Sequence, residues 1–175
     1  FVYHENMHPT DPADYYILFN GPDIVANYNI FGDTEPTDTL TYFGSSNSVN
    51  DADQDIMLYA WTPIPGFSKF GTYEGNGNAD GPFINLGFRP AYLLIKNIDS
   101  TTNWATYDTT RDPHNPATKV LSADSYGGGK ANDGWIGSYP IDFLSNGFKI
   151  RNTTGEVNGS DKTIVYAAFA SSPFK

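Results

Sequence analysis

Cysteine is absent from the 175 residues. That removes disulfide frameworks, thiolate metal sites and cysteine nucleophiles together. Positive charge is scarce: 10 Lys and Arg stand against 20 Asp and Glu, a formal net charge of −10. A nucleic-acid partner is excluded on that balance, because its affinity comes from cations that neutralise phosphates. An anionic membrane surface is disfavoured for the same reason. No apolar run approaches the roughly 20 residues of a spanning helix, so membrane insertion is not expected. No signal-peptide pattern is present, and no segment keeps a capped helical period over three turns. What is abundant is aromatic: 12 Tyr, 12 Phe and 3 Trp, in a chain that is 39% hydrophobic. That content suffices for a core and favours pleated strands, which accept aromatic and β-branched side chains. The 17 Gly and 12 Pro supply turns between them.

The chain repeats itself. Tyr3, Pro9, Pro12 and Ala13 recur 104 positions later as Tyr107, Pro113, Pro116 and Ala117. Further on the displacement becomes 108: Val49-Asn50 matches Val157-Asn158, Asp53 matches Asp161, and Ile56 matches Ile164. Ala60-Trp61 likewise matches Ala168-Phe169. A drift of four residues is what loop-length variation produces. The expected organisation is therefore two tandem related units, 1–67 and 68–175. Within the second unit the stretch that matches the chain's start is preceded by the apolar run Ala91–Ile95 and by Trp104. Their equivalents would lie ahead of Phe1, so the first unit is expected to lack its opening strand.

Strands are expected at 1–4, 15–20, 39–43, 55–62, 67–73, 91–96, 104–107, 148–151 and 163–170. Alternation at Leu40 and Tyr42, and at Phe148 and Ile150, marks half-buried strands. The runs Ile56–Trp61 and Ile164–Phe169 are continuously apolar, as strands near the centre of a sandwich are. Gly75–Asn78 and Asn146-Gly147 are hairpin-type signals. The fold class expected is all-β, an antiparallel β-sandwich, jelly-roll-like, in two related halves.

No catalytic set assembles from the residues. His4 and His8 have the spacing of a helical metal pair, but Pro9 and a strand-like context remove the helix. Asp51, Asp53 and Asp55 are a calcium candidate. The sixth and twelfth positions, Ile56 and Thr62, depart from the Gly and Glu of a full calcium loop, and a solvated hairpin is the competing reading. Gly127-Gly128-Gly129-Lys130 lacks the Ser or Thr and the flanking elements of a phosphate loop. Tyr126, Trp135 and Tyr139, in a Gly-rich segment, are candidates for stacking on a sugar face; packing on their own sandwich is the alternative. Asn152 and Asn158 head two sequons six residues apart and are candidates for glycan attachment.

Longer motifs carry a resemblance. The stretches Gly66 to Gly77, Asp80 to Phe83, Gly87 to Ala91 and Asp142 to Arg151, with the ending Tyr166 to Lys175, cover much of the chain. Together they resemble a repeat domain of tail-fibre and other structural proteins of tailed bacteriophages. The resemblance implies a β-sandwich in a fibre or adhesion protein, without known catalysis, and carries over no functional residue. The acidic stretch 51–55 departs from the Asn-Ala-Ser-Gly turn usual there. The expectation is a non-enzymatic structural or adhesive fibre subunit, with no cofactor, at an extracellular or virion surface. Its partners would be copies of itself, joined by strand complementation, and a host-surface glycan; the alternative is a carbohydrate-binding, lectin-like receptor-binding domain.

Overall fold

The structure is a computed structural model that describes residues 1–23, 26–123 and 139–172. Its early part has little regular structure. A 3-10 turn at Pro12–Asp14 leads into Tyr15–Tyr16 (β1), which pairs antiparallel with Ala26–Asn27 (β2). From Ser68 onward the chain is a β-sandwich. Ser68–Glu74 (β3), Phe83–Asn85 (β4), Tyr92–Asn97 (β5) and Ala105–Asp108 (β6) come first. Ile141–Leu144 (β7), Gly147–Ile150 (β8), the single helical turn Gly155–Asn158 (α1) and Thr163–Phe169 (β9) complete it. One sheet has the order β3-β9-β5-β6 and the other β4-β8-β7, with every pairing antiparallel.

Period-two alternation fills the space between the sheets. Leu93 and Ile95 of β5 and Ile164, Tyr166 and Ala168 of β9 meet Phe143 of β7 and Phe148 and Ile150 of β8. The continuous apolar runs arise because the larger sheet is covered on its other face too. There Leu94 and Val165 point away from the sandwich core and are packed with Trp104 against Val2, Met7 and Ile17. Trp104 Nε1 donates to Leu18 O at 2.8 Å. Lys96 is fully buried on this face, and its ammonium donates to Pro22 O at 3.2 Å and Thr102 O at 2.5 Å. Such a cation is retained only where oxygens replace its water. The early chain is thus a third layer on the sandwich. A smaller cluster of Ile30, Phe31 and Val49 sits beside Tyr3 and Tyr16.

The strands expected from Phe67 on form, within a residue or two at their ends, and β4 and β7 join them. Three of the earlier ones do not. Residues 1–4 make a single bridge, Val2 to Ile17; among the described residues, 39–43 and 55–62 join no strand partner. A strand is completed by its neighbour's hydrogen bonds, and an apolar pattern does not by itself supply that neighbour. Gly75–Asn78 is not a hairpin either: it carries the chain from one sheet to the other. Asn146-Gly147 does close the β7–β8 hairpin, where Leu144 faces Gly147.

Hydrogen bonds recur at the displacements seen in the sequence. Val2 and Ile17 exchange backbone bonds of 2.8 and 3.0 Å; 104 residues on, Thr106 and Leu121 do the same at 2.8 and 3.0 Å. At the displacement of 108, Asn50 N donates to Ser46 O at 2.9 Å and Asn158 N to Thr154 O at 2.8 Å. The side-chain amide of Asn50 donates to Gly44 O at 3.1 Å, and that of Asn158 to Asn152 O at 2.6 Å.

Candidate functional site

The feature least accounted for by the fold itself is the segment 55–62. Its side chains are those of a core strand, yet Met57 is 77% exposed, Tyr59 68%, Trp61 66% and Ile56 50%. Among the described residues, no backbone-to-backbone hydrogen bond involves Asp55 through Thr62. The segment is nevertheless held at both ends. Upstream, Val49 is buried and Asn50 is tied to Gly44 and Ser46. Downstream, Ser68 Oγ donates to Thr62 O at 2.8 Å, and the amides of Phe67 and Ser68 both donate to Ile64 O at 2.9 Å. Tyr59 and Trp61 stack with centroids 6.1 Å apart and planes at 15°. Alternating side chains point the same way along extended chain, which places these two rings on one side. An extended, unpaired, apolar segment is a template for pairing with another strand. The exposed acids Asp51, Asp53 and Asp55 flank it with negative charge.

Those three acids are not drawn together. They lie exposed along the chain, and among the described residues no group of three or more His, Asp or Glu side chains is gathered as a metal site requires. His4 and His8 are occupied locally: Nδ1 of His4 accepts from Asn6 N at 3.1 Å, and Nδ1 of His8 accepts from Asp11 N at 3.2 Å. His8 also stacks on Tyr15 at 4.5 Å.

The two sequon asparagines are structural. Asn158 is fully buried, and its amide nitrogen donates to Asn152 O at 2.6 Å, Asn78 O at 2.7 Å and Asn76 Oδ1 at 3.1 Å. Its Oδ1 accepts from Asn76 N at 2.9 Å. This one side chain pins the loop after β3 against the loop after β8. Asn152 is also buried and donates to Pro140 O at 3.1 Å. Both side-chain nitrogens are engaged inside the fold. A residue chosen for its sequon turns out to be a loop pin.

Tyr126, Trp135 and the glycine-rich loop at 127–130 lie outside the described residues. Tyr139 is half-buried against the sandwich core, and its carbonyl accepts from Tyr107 Oη at 2.8 Å. Burial first, then Glu156, push its phenol up to about 12. It packs where a sugar-stacking ring would have to stand free. Tyr107 and Tyr73 are held far above the usual phenol range by burial, and Tyr73 Oη donates to Val157 O at 2.7 Å. A shallow groove of about 530 Å³ lies between Pro65, Gly87, Phe88 and Ser145. Arg89 borders it but spends its guanidinium on Phe143 O at 2.7 Å. No carboxylate or imidazole lines the groove among the described residues, so it offers no acid–base pair. No described helix is long and apolar enough to cross a membrane.

A family model described as a domain of unknown function (DUF7483) matches residues 1–173. No curated protein and no solved structure matches the chain.

Proposed function

The chain belongs to the DUF7483 family, and on that premise we propose that it is a non-enzymatic structural or adhesive module of a fibre or filament. The setting is an extracellular or virion surface, as for a phage tail fibre. The observation that supports this most is the exposed strand-like segment 55–62, rich in apolar side chains and lacking a partner. A monomer gains nothing from leaving Ile56, Met57, Leu58 and Trp61 in water; burying such side chains stabilises by about 1.5–3 kcal/mol each. The cost is recovered where another strand completes the segment, as in donor-strand assembly. Recurrent hydrogen bonds at displacements of 104 and 108 support reading 1–67 and 68–175 as tandem copies of one unit. Tandem units that pack on one another are how extended assemblies are built.

Sedimentation and negative-stain microscopy of the purified chain over a wide concentration range test the reading. Elongated assemblies that grow with concentration are expected. Compact monomers at the highest concentration overturn it.

A second reading is a carbohydrate-binding module, favoured by the stacked and exposed pair Tyr59 and Trp61. A flat pair of rings suits the apolar face of a sugar. A glycan array with the intact chain and with Trp61→Ala decides it: binding lost in the variant supports it, and a blank array removes it.

A further inference from the structure

We infer that Asp55–Thr62 is the central strand of an uncompleted sandwich, and that its occupant is a segment patterned like residues 68–97 from a neighbouring unit of the same kind. This rests on the tandem reading proposed above and adds the partner, the register and the two faces.

β9 is the counterpart of this segment. At the displacement of 108, residues 55–62 fall on residues 163–170. In its own sandwich β9 is bonded along both edges: Ser68 to Glu74 run opposite Phe169 to Thr163, and Tyr92 to Asn97 run opposite Phe169 to Ile164. Its matched segment has neither neighbour. What covers it is therefore specified: a β3-type strand on one edge and a β5-type strand on the other. Residues 1–67 carry matches to the chain from β6 onward and none to β3, β4 or β5.

The faces follow from the same register. Ile164, Tyr166 and Ala168 enter the space between the sheets and are 0%, 4% and 0% exposed. Their matches are Ile56, Leu58 and Ala60, apolar at every position. Val165 points to the opposite face, under Met7 and Ile17. The matches on that side are Met57, Tyr59 and Trp61, so this face too is built to be covered. A surface-exposed linker has no reason to be apolar on both faces; a central strand must be. The anchors agree, since the hydrogen bonds of Asn50 upstream of the segment are those of Asn158 upstream of β9.

The junction for a test is set by the displacement of 104, which places Phe1 where residue 105 stands. A chain carrying a second copy of residues 68–104 directly ahead of Phe1 supplies the inferred neighbours in continuous sequence. Hydrogen exchange of amides 56–61 is expected to slow by more than about tenfold relative to the natural chain. Trp61 emission should shift to the blue, and both changes should vanish in the same extended chain bearing Ile56→Asp and Leu58→Asp. In parallel, the separate peptide 68–104 is added in excess to the intact natural chain, so that the result does not depend on folding of the fusion. Protection of 56–61 in either format supports the inference. Unprotected amides in both overturn it. Protection of 56–61 in the natural chain alone that is unchanged when the peptide is added, and that persists when residues 68–97 of the neighbouring copy stay protected in their own sheet, also overturns it, in favour of 55–62 pairing with its counterpart in a second copy. Filaments in the microscope without protection by the added segment leave the fibre reading standing and sink this one; protection without filaments does the reverse.

Discussion

His4 and Asp108, 104 residues apart, do the same work in matched turns. His4 Nδ1 accepts from Asn6 N at 3.1 Å, and Asp108 Oδ1 accepts from Thr110 N at 3.0 Å. Both side chains accept from the amide two residues on, but their acid–base chemistry differs. Burial holds the His4 imidazole below its ordinary 6.5, with Glu5 opposing. Asp108 is held below the ordinary carboxylate value: burial opposes this but is outweighed by hydrogen bonds from Arg111 and Thr110.

The two residues therefore fail at different acidities. The unfolded chain protonates His4 more readily than the fold does, so its contribution is present above about pH 6.5 and is lost as pH falls below it. Asp108 contributes above the ordinary carboxylate value of 3.8 and loses its contribution below that. Urea midpoints measured from pH 7.5 to 3 should fall in two stages. His4→Asn, which keeps an acceptor without a titration, should flatten the first stage alone; an unchanged first stage refutes the assignment.

Asn158→Ala is expected to cost about 2–4 kcal/mol, because the buried Asn152 carbonyl, the Asn78 carbonyl and the Asn76 amide lose their partner together. Asn50→Ala removes the matched bond from an exposed side chain and should cost under about 1 kcal/mol. Denaturant titration of both variants measures the difference, and equal losses contradict the pinning role. Asn158→Asp should be worse than alanine, since it aims a carboxylate at carbonyl oxygens.

Lys96→Ala should loosen the third layer by about 2–4 kcal/mol, through the lost ammonium bonds to Pro22 and Thr102 and the lost packing of its stem. Hydrogen exchange should show the effect concentrated in residues 15–23, with β3 and β8 little changed. Uniform loss across the sandwich would place Lys96 in its general stability instead.

Gly147→Ala tests the smaller sheet. A methyl group there would stand 2.0 Å from Ile84 O on the paired strand. Backbone cannot yield that far without parting β4 from β8, so a loss of at least about 2 kcal/mol is expected. Thermal unfolding of the variant measures it; a neutral result means the pairing is looser than its register implies.

The later strands were legible because two signals coincided there. Tyr92–Asn97 and Thr163–Phe169 are apolar at consecutive positions, and the structure buries both of their faces. Phe83–Asn85 has only three residues, too few to show a period. Asp55–Thr62 carried as strong a pattern as β9 and still finds no strand partner among the described residues. Periodicity reports what a segment is suited to join, and the partner is a separate matter. The loop role of Asn158 was hidden for a similar reason. A sequon describes three consecutive residues, whereas burial of the amide depends on Asn76 and Asn78, some 80 positions away. The match of Asn50 with Asn158 was the one signal that pointed to it.

The pairing of Ser68 with Phe169 puts the way into the sandwich beside the way out. A pull on the two ends of this body therefore acts across the β3–β9 seam at one pole, not along it. Such a load opens hydrogen-bonded pairs one after another, as a zip opens, so tension breaks a single rung at a time and never all seven together. A string of such bodies would yield gradually under traction, and its resistance to stretching would have to come from what lies between them.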